Sequence, residues 1–165
     1  MKLTFDSRGN LFPYEITEIS FEEFKASFVN SFSPDSKRYQ LFEKYMTYMD
    51  DLSKLTTKNF YQWIDGSFIS TKVNPRDLDI VTVLSFEDYE KNKTDLSQKF
   101  ISHNARKNYK VDAYIVGKYP ENHEKYIFTQ SDLLYWMNLF EKTKVNKRKQ
   151  QFRKGFIQIN FNING

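Results

Sequence analysis

Trp63-Ile64-Asp65-Gly66-Ser67, followed nine residues later by Asp77-Leu78-Asp79-Ile80-Val81, is the stretch whose reading decides the fold. An apolar run ends in Gly-Ser, a polar loop follows, and two carboxylates open a second apolar run. On a strand, alternate side chains share a face, which puts Asp77 and Asp79 on one side and Leu78 and Ile80 on the other. Two like charges held so close are unfavourable unless a cation lies between them.

The flanking sequence predicts how this stretch is supported. Residues 3–12 read as a short extended segment turning at Arg8-Gly9-Asn10. Ser20 with Glu23 forms a capping box, and Phe21, Phe24 and Phe28 recur at helical spacing. Ser31 to Pro34 breaks that helix, with Pro34 in the first turn of the next, over about 35–56. Its stripe is Phe42, Tyr45, Met46, Met49 and Leu52. Phe60–Ile64 and about 78–84 read as strands, Ser85 to about 106 as helical, and Tyr109–Val116 as a strand. On that strand Val111, Ala113 and Ile115 face one way, Asp112 and Tyr114 the other. Ser131 caps a helix containing Leu133, Trp136, Met137 and Phe140, and Phe156–Phe161 alternates as a half-buried strand. The expected fold is an α/β (α+β) domain over 1–165, a small mixed sheet flanked by helices. Its N-terminal helices span about 20–56 and its catalytic sheet about 59–162.

Composition narrows the chemistry. With 16 Phe and 11 Tyr among 165 residues, the core is predicted to be aromatic. No cysteine is present, which excludes disulfides and thiolate metal sites. No apolar run approaches the roughly 18 residues of a membrane span. The chain therefore reads as cytoplasmic, with no membrane partner. The net charge is +4, and Lys142, Lys144, Lys147, Arg148, Lys149, Arg153 and Lys154 fall in one acid-free segment. Such a segment is a solvated surface or a phosphate-binding strip. His103 and His123 stand far apart in polar contexts and suggest no zinc site.

Three acids lie where strands would present them: Asp77, Asp79 and Asp112. If the strand of Asp112 pairs beside that of Asp79, all three face one cleft. Three oxygen ligands without His or Cys favour Mg²⁺ or Mn²⁺. Two such ions about 4 Å apart can clamp an in-line displacement at phosphorus. Gly66 permits close approach of backbone amides to a phosphate, and Ser67 adds a donor.

In order and spacing, Ile64-Asp65-Gly66-Ser67, Asp77-Leu78-Asp79-Ile80 and Val111-Asp112-Ala113 resemble the DNA polymerase β-like nucleotidyltransferases. The wider run, together with Trp136 and Arg153-Lys154-Gly155-Phe156, is similar to a small, little-characterised bacterial nucleotidyltransferase-like family. The resemblance spans most of residues 11–162 and is dense over 60–82. It implies the polymerase β-like fold and transfer of a nucleoside monophosphate from a nucleoside triphosphate (NTP), such as ATP, to an RNA end or a protein hydroxyl. It implies that Gly66 and Ser67 hold the β- and γ-phosphates and that Asp77 and Asp79 bind both metals. Asp112 would complete the metal site and orient or deprotonate the attacking hydroxyl. Lys72, Arg76, Arg153 and Lys154 are the candidates for neutralising the triphosphate. The family carries an Arg on a helix soon after Gly-Ser; here those positions are Phe68, Ile69, Ser70 and Thr71, in a loop that predicts no helix. A toxin–antitoxin or antiphage module, with a cognate partner, is the implied context. The alternative is a catalytically inactive binding protein on the same fold, an antitoxin or partner-binding subunit.

Overall fold

Phe60–Asp65 forms β4, the middle strand of a five-stranded sheet in the computed structural model, which describes residues 2–163. Met1 and residues 164–165, the outer ends of the domain predicted over 1–165, lie outside the described residues. Thr4–Phe5 (β1) and Leu11–Phe12 (β2) make a small antiparallel hairpin that turns at the predicted Arg8-Gly9-Asn10. Ile16–Glu18 is β3. Phe21–Lys25 is α1, running on as a π-helical turn over Ala26–Asn30, and Lys37–Ser53 is α2. Asp79–Ser85 is β5. Phe86–Lys91 (α3), Lys93–Asp95 (α4) and Ser102–Tyr109 (α5) lead to Asp112–Lys118 (β6). Tyr126–Phe140 is α6 and Phe156–Phe161 is β7.

The large sheet runs β3-β7-β4-β5-β6 and is mixed: β3 lies parallel to β7, β7 and β5 run antiparallel to β4, and β6 lies parallel to β5. This is a mixed α+β fold. Period-2 alternation splits the sheet into two faces. Ile64, Ile80, Ala113, Ile157 and Ile159 meet α1, α2 and α5 in the larger, phenylalanine-rich core. Trp63, Val81, Val83, Val116 and Phe156 face α6 through Phe140, Trp136 and Met137.

Several boundaries differ from the sequence expectation for identifiable reasons. The capping box at Ser20 and Glu23 is present as read. Pro34 precedes α2, whose N-cap is Ser36. Tyr109 ends α5 rather than opening β6, because Lys110 adopts the left-handed conformation (φ 61°) that closes a helix. Ser131 sits inside α6, not at its start; the apolar Tyr-Ile-Phe before it already belongs to the helix. β3, three residues long, carries too little pattern to be read.

One buried cation organises the loop between β4 and β5. Arg38 on α2 is fully buried. All five of its N–H donors are used: Nε and Nη2 donate to the Lys72 carbonyl, Nη1 to those of Phe28 and Phe68, and Nη2 also to that of Ser70. Its guanidinium stacks 3.8 Å from the Phe32 ring centroid and 5.1 Å from that of Phe68. Burial lowers its pKa to about 10, so it stays charged at neutral pH. Arg38→Met should leave four loop and helix carbonyls without their donors and cost about 3 kcal/mol or more. Urea denaturation measures this, and hydrogen exchange should show protection lost first over residues 68–72.

Candidate active site

The loop after β4 begins with a turn that only glycine fits. Gly66 has φ +86°, and a Cβ there would lie 2.8 Å from the Asp77 carbonyl oxygen and 3.1 Å from Asp79 Oδ2. Ser67 then closes the loop on itself. Its backbone N–H donates to Asp77 Oδ1 at 2.9 Å, its hydroxyl donates to the same oxygen, and its Oγ accepts from Arg76 N at 2.9 Å. Gly66 and Ser67 thus bring the two ends of the loop together, whereas the sequence alone suggested only phosphate contacts for them. Phe68 and Ile69, where a helical Arg would stand in the resembled family, are buried in the core above Arg38.

The carboxylates are brought together by register. Asp65 pairs with Asp79 across β4 and β5, and Asp79 pairs with Asp112 across β5 and β6. Three acids therefore form a row across three adjacent strands, on the α6 side of the sheet and at one end. Asp77 lies just before β5 and hangs over the same point from the loop. Asp65 was legible as part of the Gly-Ser motif but not as a fourth acid of the cluster; its position is set by the β4–β5 register.

Each carboxylate has a different electrostatic environment. Burial pushes Asp65 up, to about 7, against the pull of the buried Lys154 ammonium paired with it. Burial also works to raise Asp77, but hydrogen bonds from Ser67 and Lys144 outweigh it and hold Asp77 at about 2. Lys144 Nζ lies 2.9 Å from Asp77 Oδ2, and its side chain is 81% exposed. Arg106 on α5 pairs with Asp112. Asp79 has no hydrogen-bond or ion-pair partner among the described residues. Burial, and then the neighbouring Asp77, push it to about 6.

These acids floor a cleft of about 670 Å³. Tyr114, its ring tilted against that of Trp136 with centroids 4.3 Å apart, and Tyr135 and Leu139 of α6 form one wall. Lys72, Arg76 and Lys144 rim it. Of the four predicted triphosphate cations, Lys72, Arg76 and Lys154 line the cleft, and Lys72 and Arg76 do so without an ion-pair partner among the described residues. Lys154 is buried and committed to Asp65. Arg153 does not line the cleft; it lies 5.6 Å from the Tyr14 ring. Lys144 and Arg106, which do reach the acids, went unassigned because their approach depends on the chain's return after α6 and on the end of α5. A second cavity, of about 470 Å³, opens at the other end of the sheet near Tyr61, Phe86 and Lys118, away from the carboxylates.

An all-oxygen donor set with one unpaired, largely buried carboxylate fits Mg²⁺ or Mn²⁺. Among the described residues no three acid or imidazole groups are already gathered around one point. Asp77 and Asp112 are instead turned to Lys144 and Arg106, which a divalent ion would have to displace.

Asp79 also sets a dependence on pH. Its folded pKa is raised, so the folded state holds a proton that the unfolded chain releases between pH 3.8 and about 6. Its contribution is intact below that window and lost as pH rises through it. Asp79→Asn should therefore be more stable than the parent at pH 7.5, by roughly 3 kcal/mol for two pKa units, with the gap closing near pH 4. Asp77→Asn should show the reverse, because the depressed Asp77 stabilises above pH 3.8 and loses this as pH falls towards 2. Denaturant titrations at several pH values, without divalent ions, measure both.

A family model described as a family of unknown function, DUF6932, matches residues 3–160, and the chain belongs to that family. No curated protein and no solved structure matches the chain. Among the described residues no helix is long and apolar enough to cross a membrane.

Proposed function

We propose that this member of DUF6932 is a divalent-cation-dependent nucleotidyltransferase of the polymerase β-like type, moving a nucleoside monophosphate from an NTP to an RNA end or a protein hydroxyl. The observation that carries the reading is the row Asp65–Asp79–Asp112 across adjacent strands, beside the Gly66–Ser67 turn and Asp77, with Asp79 left unpaired. An acidic pocket that is unfavourable without a cation, rimmed by exposed lysine and arginine, is suited to a metal–triphosphate complex.

Asp77, Asp79 and Asp112 would hold Mg²⁺ or Mn²⁺, which when bound supplies charge neutralisation at the reacting phosphate. The remaining chemistry belongs to the chain. Asp112 orients the acceptor hydroxyl and takes its proton. The hydroxyl oxygen bonds to the α-phosphorus as the bond from that phosphorus to the α,β-bridging oxygen breaks, and pyrophosphate leaves. Lys72 and Arg76 face the cleft and neutralise the triphosphate. Lys144 joins them once it is released from Asp77, and so supplies the charge that residues 68–71 lack. Asp65, held by Lys154, keeps the carboxylate row in place without itself reaching the substrate.

A second reading rests on the pairing of Asp65, Asp77 and Asp112 with Lys154, Lys144 and Arg106. Permanent neutralisation of this kind would suit an inactive binding subunit, such as an antitoxin or defence partner. Incubation with each labelled NTP, Mg²⁺ or Mn²⁺, and RNA or protein acceptors separates the two. The enzyme reading predicts pyrophosphate release and acceptor labelling, reduced about a thousandfold or more by Asp79→Asn. Equal labelling by that variant sinks the site. Lys144→Met should bind Mg²⁺ more tightly without nucleotide, since a competing cation is gone, yet bind the triphosphate more weakly. Calorimetry reads both, and unchanged affinities would remove Lys144 from the mechanism.

A further inference from the structure

Helix α6 is apolar on the side that the domain does not cover. Leu133, Trp136, Met137 and Phe140 pack on the sheet. Yet Ile127, Phe128, Leu134, Tyr135 and Leu139 are between 51% and 62% exposed. They are five of the nine strongly exposed large apolar side chains among the described residues. At 100° per residue, these five with Ser131 and Asn138 cover an outward arc of about 140° that contains no charge. The only charged residue of α6 is Asp132, at the edge of that arc. A helix apolar all round is a buried helix, and a contiguous exposed patch of this kind marks an interaction surface.

The charges flanking α6 say what covers it. Before the helix, Glu121 and Glu124 are exposed and form no ion pair among the described residues, while Lys125 is held by Glu90 at 2.9 Å. After it come Lys142, Lys147, Arg148 and Lys149, also exposed and without ion pairs among the described residues. The helix is about 22 Å long. A two-fold axis near Ser131–Leu134 would set two copies of α6 antiparallel. Phe128 of each copy would meet Leu139 of the other, with the small Ser131 at the crossing. Glu121 and Glu124 of one copy would then face the second copy's basic segment, twice over, as an isologous contact requires. A parallel pairing would set like charges together. A lipid surface fits less well, because α6 carries no Lys or Arg to engage headgroups.

We infer that the outer face of α6 is the interface of an antiparallel homodimer. Tyr135 and Leu139 also line the cleft, so the second copy forms its outer wall. The inference does not depend on the nucleotidyltransferase reading.

Analytical ultracentrifugation of the full chain should give a species of twice 19.9 kDa. Leu134→Glu should sediment at the monomer mass with its melting temperature measured alongside. A parent chain that stays monomeric at the highest attainable concentration overturns the proposal, as does a dimer unaffected by folded Leu134→Glu. Charge reversal tests the orientation without touching the apolar residues. Glu121→Lys/Glu124→Lys and Lys147→Glu/Arg148→Glu/Lys149→Glu chains should each dimerise about tenfold more weakly and regain affinity when mixed. Absence of recovery overturns the antiparallel arrangement. Binding of a monomeric chain to phosphatidylserine vesicles, lost in Leu134→Glu, would assign the face to a membrane instead.

Discussion

The Arg38 guanidinium is the constraint on which the site depends. A loop that leaves a strand at Gly66 and returns at Asp79 has carbonyls to satisfy and little secondary structure to do it. Arg38 satisfies those of Phe68, Ser70 and Lys72 from below, and fixes the same cation against Phe28 of the neighbouring helix. Without a helix after Gly-Ser, the loop's shape is imposed by α2, some thirty residues earlier in the chain. Buried Gln62 does the same for β4: Tyr45 Oη donates to it at 2.7 Å, and it donates to Thr82 Oγ1 at 2.8 Å. Both are buried polar groups whose capacity is used, which is what makes them specify one arrangement rather than several.

Above that rigid floor the electrostatics are left unresolved. Asp79 faces three other carboxylates and, among the described residues, has no cation of its own, whereas Asp65, Asp77 and Asp112 each have one. The compensating cations differ in cost to remove. Lys154 is buried with Asp65, and breaking that pair strands a charge in low dielectric. Lys144 is mostly in water, and its ion pair is worth little. The strong pair therefore fixes the cluster, and the weak one can be exchanged.

What was legible in the sequence follows from the range of the interactions involved. The capping box, the helical stripe of α2 and the alternation of β7 are local patterns, and their elements lie where the residues put them. The side-by-side placement of Asp79 and Asp112 was conditional on strand pairing, which no local pattern fixes. Asp65 joined the cluster only through register, and Lys144 and Arg106 only through tertiary approach. Lys154 read as an available cation because a basic run looks solvated until burial is known, and Arg153 because only the tertiary fold turns it away from the cleft, towards Tyr14. Ser131 looked like a helix start because Ile127 and Phe128 offered no polar cap signal of their own. The exposed face of α6 was hidden by the same run, since apolar residues on all sides give no period that marks one side as outward.

The position of β7 has a consequence for how the molecule comes into being. It is the last strand among the described residues, yet it lies between β3 and β4 and hydrogen-bonds to both. Until residues 156–161 have left the ribosome, β4 has an open edge and β3 has no partner in the large sheet. Lys154, just before that strand, is likewise absent from Asp65. Before that strand is available, β4 is an apolar strand with an unpaired edge, a state prone to edge-to-edge association. Productive folding must wait for a non-local pairing, which makes it slow relative to a helical chain of the same length.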